Sequence, residues 1–294
     1  MSKMTKRVAL VTGSSSGLGL AIVRSLCKRL GDDGIVYLTA RNEGRGLEAV
    51  DVLKKEGLGP KFHILDVNDQ DSIETLRDDI AAQDGGLDIL VNNAGIIFND
   101  DTPKAIQAEK TIQTNYFAVR NVTNALLPII RDGGRVVHIG SLVAPMTFYK
   151  MSNEMQQRFR SVNTEQGLND LMQEFVDSIK SGEPVQKGFA DWSYGTSKLG
   201  VTTLTRIQGE ALRKDSSKKD VLINSCCPGF LKTSFTSHFD EETVKQMISP
   251  DQGADTPVYL ALLSPGTKDL QGQFLFRREI KDFYNNDIRP VSYV

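Results

Sequence analysis

No apolar run in the sequence approaches the roughly 20 residues that a membrane-crossing helix requires, so no membrane span is expected. An excess of one charge is also missing. The 35 basic and 37 acidic residues leave a net charge of −2, which offers nucleic acid no basic footprint. Cysteine is scarce: Cys27, Cys226 and Cys227 make an odd set with two neighbours adjacent, a poor disulfide framework that fits reduced thiols. The histidines His63, His138 and His238 are scattered and match no zinc spacing, so no metal is expected. The opening MSKMTKRVALVTG holds an apolar stretch too short for a secretory leader, and the closing SYV matches no common targeting or lipidation signal. Together these point to the cytoplasm and make Asn121-Val122-Thr123 a chance match to a glycosylation acceptor.

What is present is an ordinary apolar fraction of 39% and a strong alternation. The apolar, β-branched runs are VALVT (8–12), IVYLTA (35–40), FHILDV (62–67), LDILVNNAG (87–95), RVVHIGS (135–141), VLINSCCPG (221–229) and QFLF (273–276). Helix-period stretches lie between them, such as 17–30, ended by Gly31 and Gly34, and 71–83, with Asp71 or Ser72 as its cap. Near-continuous apolar strands separated by helices predict an α/β protein: one doubly wound domain spanning 1–294, with a parallel seven-stranded sheet.

One stretch breaks the rhythm. The segment 142–190 is far longer than a normal strand-to-helix connection. Within it Leu168, Leu171, Met172, Phe175, Val176 and Ile179 form a helical stripe, with Thr164 to cap its start and Gly182 and Pro184 to end it. A shorter helix is expected at 152–159. The segment reads as a helical insertion with a packing role.

Chemistry gathers where strands end. The first strand runs into TGSSSGLG (12–19) and then a helix, so Gly13, Gly17 and Gly19, with Ser15 and Leu18, form a loop that lets backbone approach a pyrophosphate at a helix N-terminus. After the second strand, Arg41 stands where an Asp or Glu would hold the ribose diol of NAD; its guanidinium suits a 2′-phosphate, which favours NADPH. Asp66, beside Val67, is placed to accept from the adenine amino group, and Asn93, Ala94 and Gly95 close the fourth strand along the cofactor. In DWSYGTSKLG (191–200), Tyr194 and Lys198 stack one helical turn apart. An ammonium there favours the ionised phenol and makes a proton donor for near-neutral pH. A solvated Tyr and Lys at a helix start would read the same in isolation.

Taken in order, TGSSSGLG, NNAG (92–95), Asn115, Ser141, YGTSK (194–198) and Pro228-Gly229 resemble the short-chain dehydrogenase/reductase superfamily, from about residue 6 to 276. The insertion, Arg41 and CCPG (226–229) resemble its monomeric cytosolic NADPH-dependent carbonyl reductases. Their loop often carries a basic residue where this one has Ser14, Ser15 and Ser16. The resemblance implies that Tyr194 protonates the carbonyl oxygen while Lys198 lowers its pKa and binds the nicotinamide ribose. Ser141 would stabilise the developing oxyanion, and Asn115 would hold a water linking Lys198 to a proton relay. Pro228, Gly229 and Thr233 would shape the nicotinamide end.

Ile97, Met146, Trp192, Phe230, Phe235, Phe239 and Met247 are expected around the crevice, where they suit hydrophobic aldehydes, ketones or quinones. Cys227, next to the Pro-Gly turn, is expected to be more accessible than Cys27. The insertion is expected to keep the protein monomeric by covering helices that relatives use to associate. Two other functions fit the same residues: an NAD(H)-dependent alcohol or steroid dehydrogenase, and a non-catalytic NADP(H)-binding sensor.

Overall fold

Arg7–Val11 forms β1, with Val8 to Val11 shielded from water. It lies inside a sheet made with β2 (Gly34–Ala40), β3 (Lys61–Ile64), β4 (Leu87–Asn92), β5 (Ile130–Ile139), β6 (Leu222–Cys227), β7 (Phe274–Phe276) and β8 (Glu279–Ile280). The computed structural model describes residues 6–236, 239–282 and 284. MSKMT, His238 and the SYV ending lie outside the described residues. The sheet order is β3-β2-β1-β4-β5-β6-β7-β8, and every neighbouring pair is parallel except β7 with β8. The seven parallel strands match the expectation, and the eighth adds to it. β8 is a two-residue return after Arg277 and Arg278, both at positive φ (52° and 64°), and so short a strand carries no readable alternation.

Helices α1 (Gly17–Leu30), α2 (Glu43–Lys55) and α3 (Gln70–Asp84) follow the first three strands. Asp69 caps α3 by accepting from Asp71 N, two residues before the expected Asp71 and three before Ser72; Ser72 instead accepts from Asp66 N at 3.1 Å. A long helix after β4 comprises α4 (Lys104–Ile112), a widened π-turn at Gln113–Phe117, and α5 (Ala118–Leu126). After β5 come α6 (Val143–Phe148), α7 (Asn153–Ser161), α8 (Glu165–Ser181) and α9 (Ser193–Lys214). α10 (Glu241–Lys245), α11 (Pro250–Gly253) and α12 (Asp255–Ala261) lie between β6 and β7. Helices α1, α2 and α12 cover one face of the sheet, and α3, α5 and α9 the other.

The helix α8 forms a further layer, packed on α4 and α9. Thr164 caps it by accepting from Gly167 N at 3.1 Å, and Gly182 ends it in the left-handed region. All six stripe residues are buried. Met172 lies so close to Gly200 of α9 that a β-carbon there would come within 2.8 Å of its methyl. At about 1.5–3 kcal/mol for each fully buried side chain, the stripe is worth on the order of 10 kcal/mol before ordering costs. No helix among the described residues is long and apolar enough to cross a membrane.

Candidate active site

The strand order reverses between β1 and β4, the position at which an open parallel sheet opens a crevice beyond its carboxyl ends. The two chain segments leaving these strands are laced together. Thr12 Oγ1 accepts from the N–H groups of both Asn93 and Ala94 at 3.0 Å, and Asn93 Nδ2 donates to Thr12 O at 2.9 Å and Gly13 O at 3.0 Å. A side chain at Gly13 would sit 2.9 Å from Ala94, and one at Gly19 would sit 2.7 Å from Gly13 O and Ser14 Cα. Gly13 and Gly17 hold positive φ (59° and 55°). Glycine therefore keeps a cradle open at the start of α1, whose N–H groups suit phosphate oxygens. Ser15 and Leu18 lie half-buried in the same loop, while Ser14 is buried and donates to Val11 O at 2.8 Å. The cradle fits a dinucleotide pyrophosphate.

Arg41 lies between the end of β2 and Asn42, the cap of α2. It is exposed and makes no ion pair among the described residues, so its guanidinium is available to a ligand phosphate. Asp66 and Val67 are half-buried beyond β3, with Asp66 Oδ1 accepting from Asn68 N at 2.9 Å.

Lys198 is the electrostatic centre of the site. Its side chain is buried in the first turns of α9, its ammonium donates to Ile139 O at 2.8 Å, and it lies 5.7 Å from the centroid of the half-buried Tyr194 ring. Burial pushes its pKa down from 10.5 to about 8, opposed by the nearby thiols of Cys227 and Cys226. Because Ile139 is the last residue of β5, this bond brings the start of α9 to the strand end that presents Ser141. Asn115 sits in the π-turn. Its side chain accepts from Ile96 N at 2.7 Å and donates to Ile96 O at 2.9 Å and Ser197 Oγ at 3.1 Å. Sequence reasoning nominated Asn115 as a water holder; its amide also ties the loop after β4 to α9.

Of the residues expected around the crevice, Ile97, Met146, Trp192, Phe230 and Met247 are half-buried, and Phe235 and Phe239 are exposed. Phe230 and Phe239 meet edge to face, with ring centroids 5.2 Å apart. Gly195 has room for no side chain: a β-carbon would lie 2.7 Å from the Trp192 ring. The loop after β6, which begins with Pro228 and Gly229, returns towards the glycine loop, where Thr233 lies 3.6 Å from a β-carbon placed on Gly17. Asn99 Nδ2 donates to Phe235 O at 3.2 Å, joining this loop to the one after β4.

The expectation for Cys227 is overturned. It is buried like Cys226, whereas Cys27 is half-buried. Cys227 belongs to β6, flanked by β5 and β7, so the turn beside it does not open its thiol to water. Burial holds the thiol above its ordinary pKa, although Gly229 N, Leu142 N and the Ser141 hydroxyl favour the thiolate. Thr12, Ser197, Asn99 and the Ile139 carbonyl escaped the sequence reading. Thr12, which opens TGSSSGLG, and Ser197, inside YGTSK, carried a local signal. Among the described residues no three His, Cys, Asp or Glu side chains group to hold a metal.

A family model for short chain dehydrogenase matches residues 7–153. The chain belongs to the short chain dehydrogenase family. It is 46% identical to carbonyl reductase (NADPH) 1 of Bos taurus over 276 residues, covering 93% of this chain and 97% of the relative. It is 45% identical over 279 residues to the Homo sapiens protein of that name, covering 94% and 98%. Among solved structures, salutaridine reductase from Papaver somniferum superposes with a TM-score of 0.77 at 25% identity, covering 92% of this chain and 99% of that one. Menthone neomenthol reductase from Mentha piperita gives 0.74 at 27% identity, covering 92% and 98%.

Proposed function

We propose that the protein reduces aldehydes, ketones and quinones with hydrophobic bodies to alcohols, using NADPH and Tyr194 as the proton donor. The observation that carries this reading is the buried Lys198 ammonium, 5.7 Å from the Tyr194 ring centroid and hydrogen-bonded to the strand end that leads to Ser141. The kinship with carbonyl reductases named for NADPH supports it.

When bound, NADPH supplies the hydride that the carbonyl carbon accepts. The chain's own groups handle the oxygen. The Ser141 and Tyr194 hydroxyls orient the carbonyl and meet the charge that grows on its oxygen. Tyr194 then gives that oxygen its proton, completing the alcohol, and the Lys198 charge favours the phenolate left behind. Asn115 and Lys198 lead the replacement proton inward from water. The glycine cradle holds the pyrophosphate, Arg41 pairs with the 2′-phosphate, and Asp66, Val67, Asn93, Ala94 and Gly95 line the adenosine and ribose side. Pro228, Gly229 and Thr233 border the nicotinamide end. Met146, Trp192 and Phe230 receive the apolar body of the substrate and exclude water.

We read the protein as a monomer, since α8 occupies α4 and α9, and as a resident of the reducing cytoplasm, since its three cysteines are free. Turnover of a simple quinone and a panel of aldehydes and ketones with each coenzyme tests the function. NADPH should give a kcat/KM at least about tenfold above NADH, a difference of about 1.4 kcal/mol. No turnover of any carbonyl with either coenzyme overturns the reading, and a preference for NADH points to the alcohol or steroid dehydrogenase alternative.

A further inference from the structure

A second titratable group is buried behind Lys198 and takes no part in the mechanism above. His138, on β5, has no exposed surface. Its Nε2 lies 3.2 Å from Thr123 Oγ1 of α5, and its Nδ1 lies 3.0 Å from Thr205 Oγ1 of α9. Asn92, the last residue of β4, donates through Nδ2 to Thr123 Oγ1 at 2.9 Å. Thr123 and Thr205 are buried as well, so one dry network joins β4, α5, β5 and α9.

Both threonine hydroxyls are also bonded to carbonyls of their own helices. Thr205 Oγ1 donates to Val201 O at 2.8 Å, which leaves its oxygen free to accept from Nδ1 when the ring proton is there. Thr123 Oγ1 likewise donates to Val119 O at 2.7 Å, so each ring nitrogen faces a hydroxyl oxygen that can accept from it. Burial and the Lys198 charge both oppose protonation, lowering the pKa of His138 to about 3, so the ring stays neutral beside the ammonium.

Thr205 follows Lys198 by seven residues, two turns of α9, so both side chains leave the same face of that helix. They grip consecutive residues of β5: Lys198 binds the Ile139 carbonyl, and Thr205 binds the His138 ring. We propose that His138 is a positioning residue for Lys198, forming with Thr205 the second point of a two-point clamp that fixes the spacing between α9 and the end of β5. The clamp acts on the proton-relay lysine of the carbonyl-reductase reading and rests on it for its role in turnover.

Two variants and a probe that does not depend on turnover test it. Thr205→Val is isosteric and removes the ring's partner; His138→Asn keeps a small neutral amide but cannot span both threonines. The Lys198 side chain is followed by NMR in protein carrying ε-carbon-labelled lysine, assigned with Lys198→Met. A slack clamp lengthens the bond to Ile139 O, which stabilises the ammonium, so Lys198 should titrate lower by about half a pH unit or more in each variant. Surface lysines should not move, and kcat should fall roughly tenfold through misplacement. Unchanged Lys198 titration in both variants, whatever happens to Tm, overturns the clamp. If Lys198 shifts but the wild-type protein reduces no carbonyl, the clamp stands and the functional reading falls.

Discussion

Lys198 hydrogen-bonds the main-chain carbonyl of Ile139 at 2.8 Å, so the helix that bears Tyr194 is fastened at its first turns to the end of the central strand β5. That bond costs the lysine its water. Burial lowers its pKa from 10.5 to about 8, so it is an ammonium below that pH and a neutral amine above it. The positive charge is the form that assists Tyr194. We therefore expect kcat/KM for carbonyl reduction to fall as pH rises through about 8, reversibly when the pH is lowered again. A flat profile across that range would mean that the lysine charge does not matter to the reaction.

Arg41 is exposed and lacks an ion-pair partner among the described residues, and the glycine loop beside it offers three serines instead of a base. A hydrogen-bonded charge pair is worth about 1.5–3 kcal/mol. Arg41→Asp should therefore weaken NADPH binding roughly 10–150-fold while changing NADH binding little. Equal changes for both coenzymes, measured by titration, would remove Arg41 from the phosphate site.

The face of α4 and α9 that α8 covers is occupied by Met172 and its five companions in the stripe. Sedimentation equilibrium at micromolar protein should give a mass of 32.4 kDa. Twice or four times that mass would show that α8 either leaves room for assembly or builds an interface of its own.

Cysteine reactivity should follow burial and not proximity to the crevice. Cys27 is half-buried with its pKa pushed up to about 11, while Cys226 and Cys227 are both buried and also raised. Alkylation of the native protein, read by peptide mass spectrometry, should be slow at neutral pH and reach Cys27 first. Earlier labelling of Cys227 would mean that β6 opens to solvent.

Much of this was legible because the features are local. Glycine spacing at 13, 17 and 19, the six-residue stripe of α8 with Thr164 and Gly182 at its ends, and the apolar strand runs each satisfy a short-range rule. The misses are long-range or too short to show a period. The two-residue β8 has no alternation, and α6, with Pro145 inside it and no side-chain cap, gives no helix signal. Cys227 was misjudged because a neighbouring turn says nothing of the strands on either side. The bond from Lys198 to Ile139, and the clamp of His138 between Thr123 and Thr205, join residues brought together by the fold alone.

The most direct test replaces Tyr194 with phenylalanine, which removes the acidic proton and keeps the ring. NADPH oxidation in the presence of a simple quinone or aromatic aldehyde, together with NADPH affinity by fluorescence titration, separates chemistry from binding. General acid catalysis contributes roughly 10²–10⁴-fold, so kcat in Tyr194→Phe should fall by at least about a hundredfold while NADPH affinity stays near that of the wild type. A variant that binds NADPH and turns over at the wild-type rate would contradict the account.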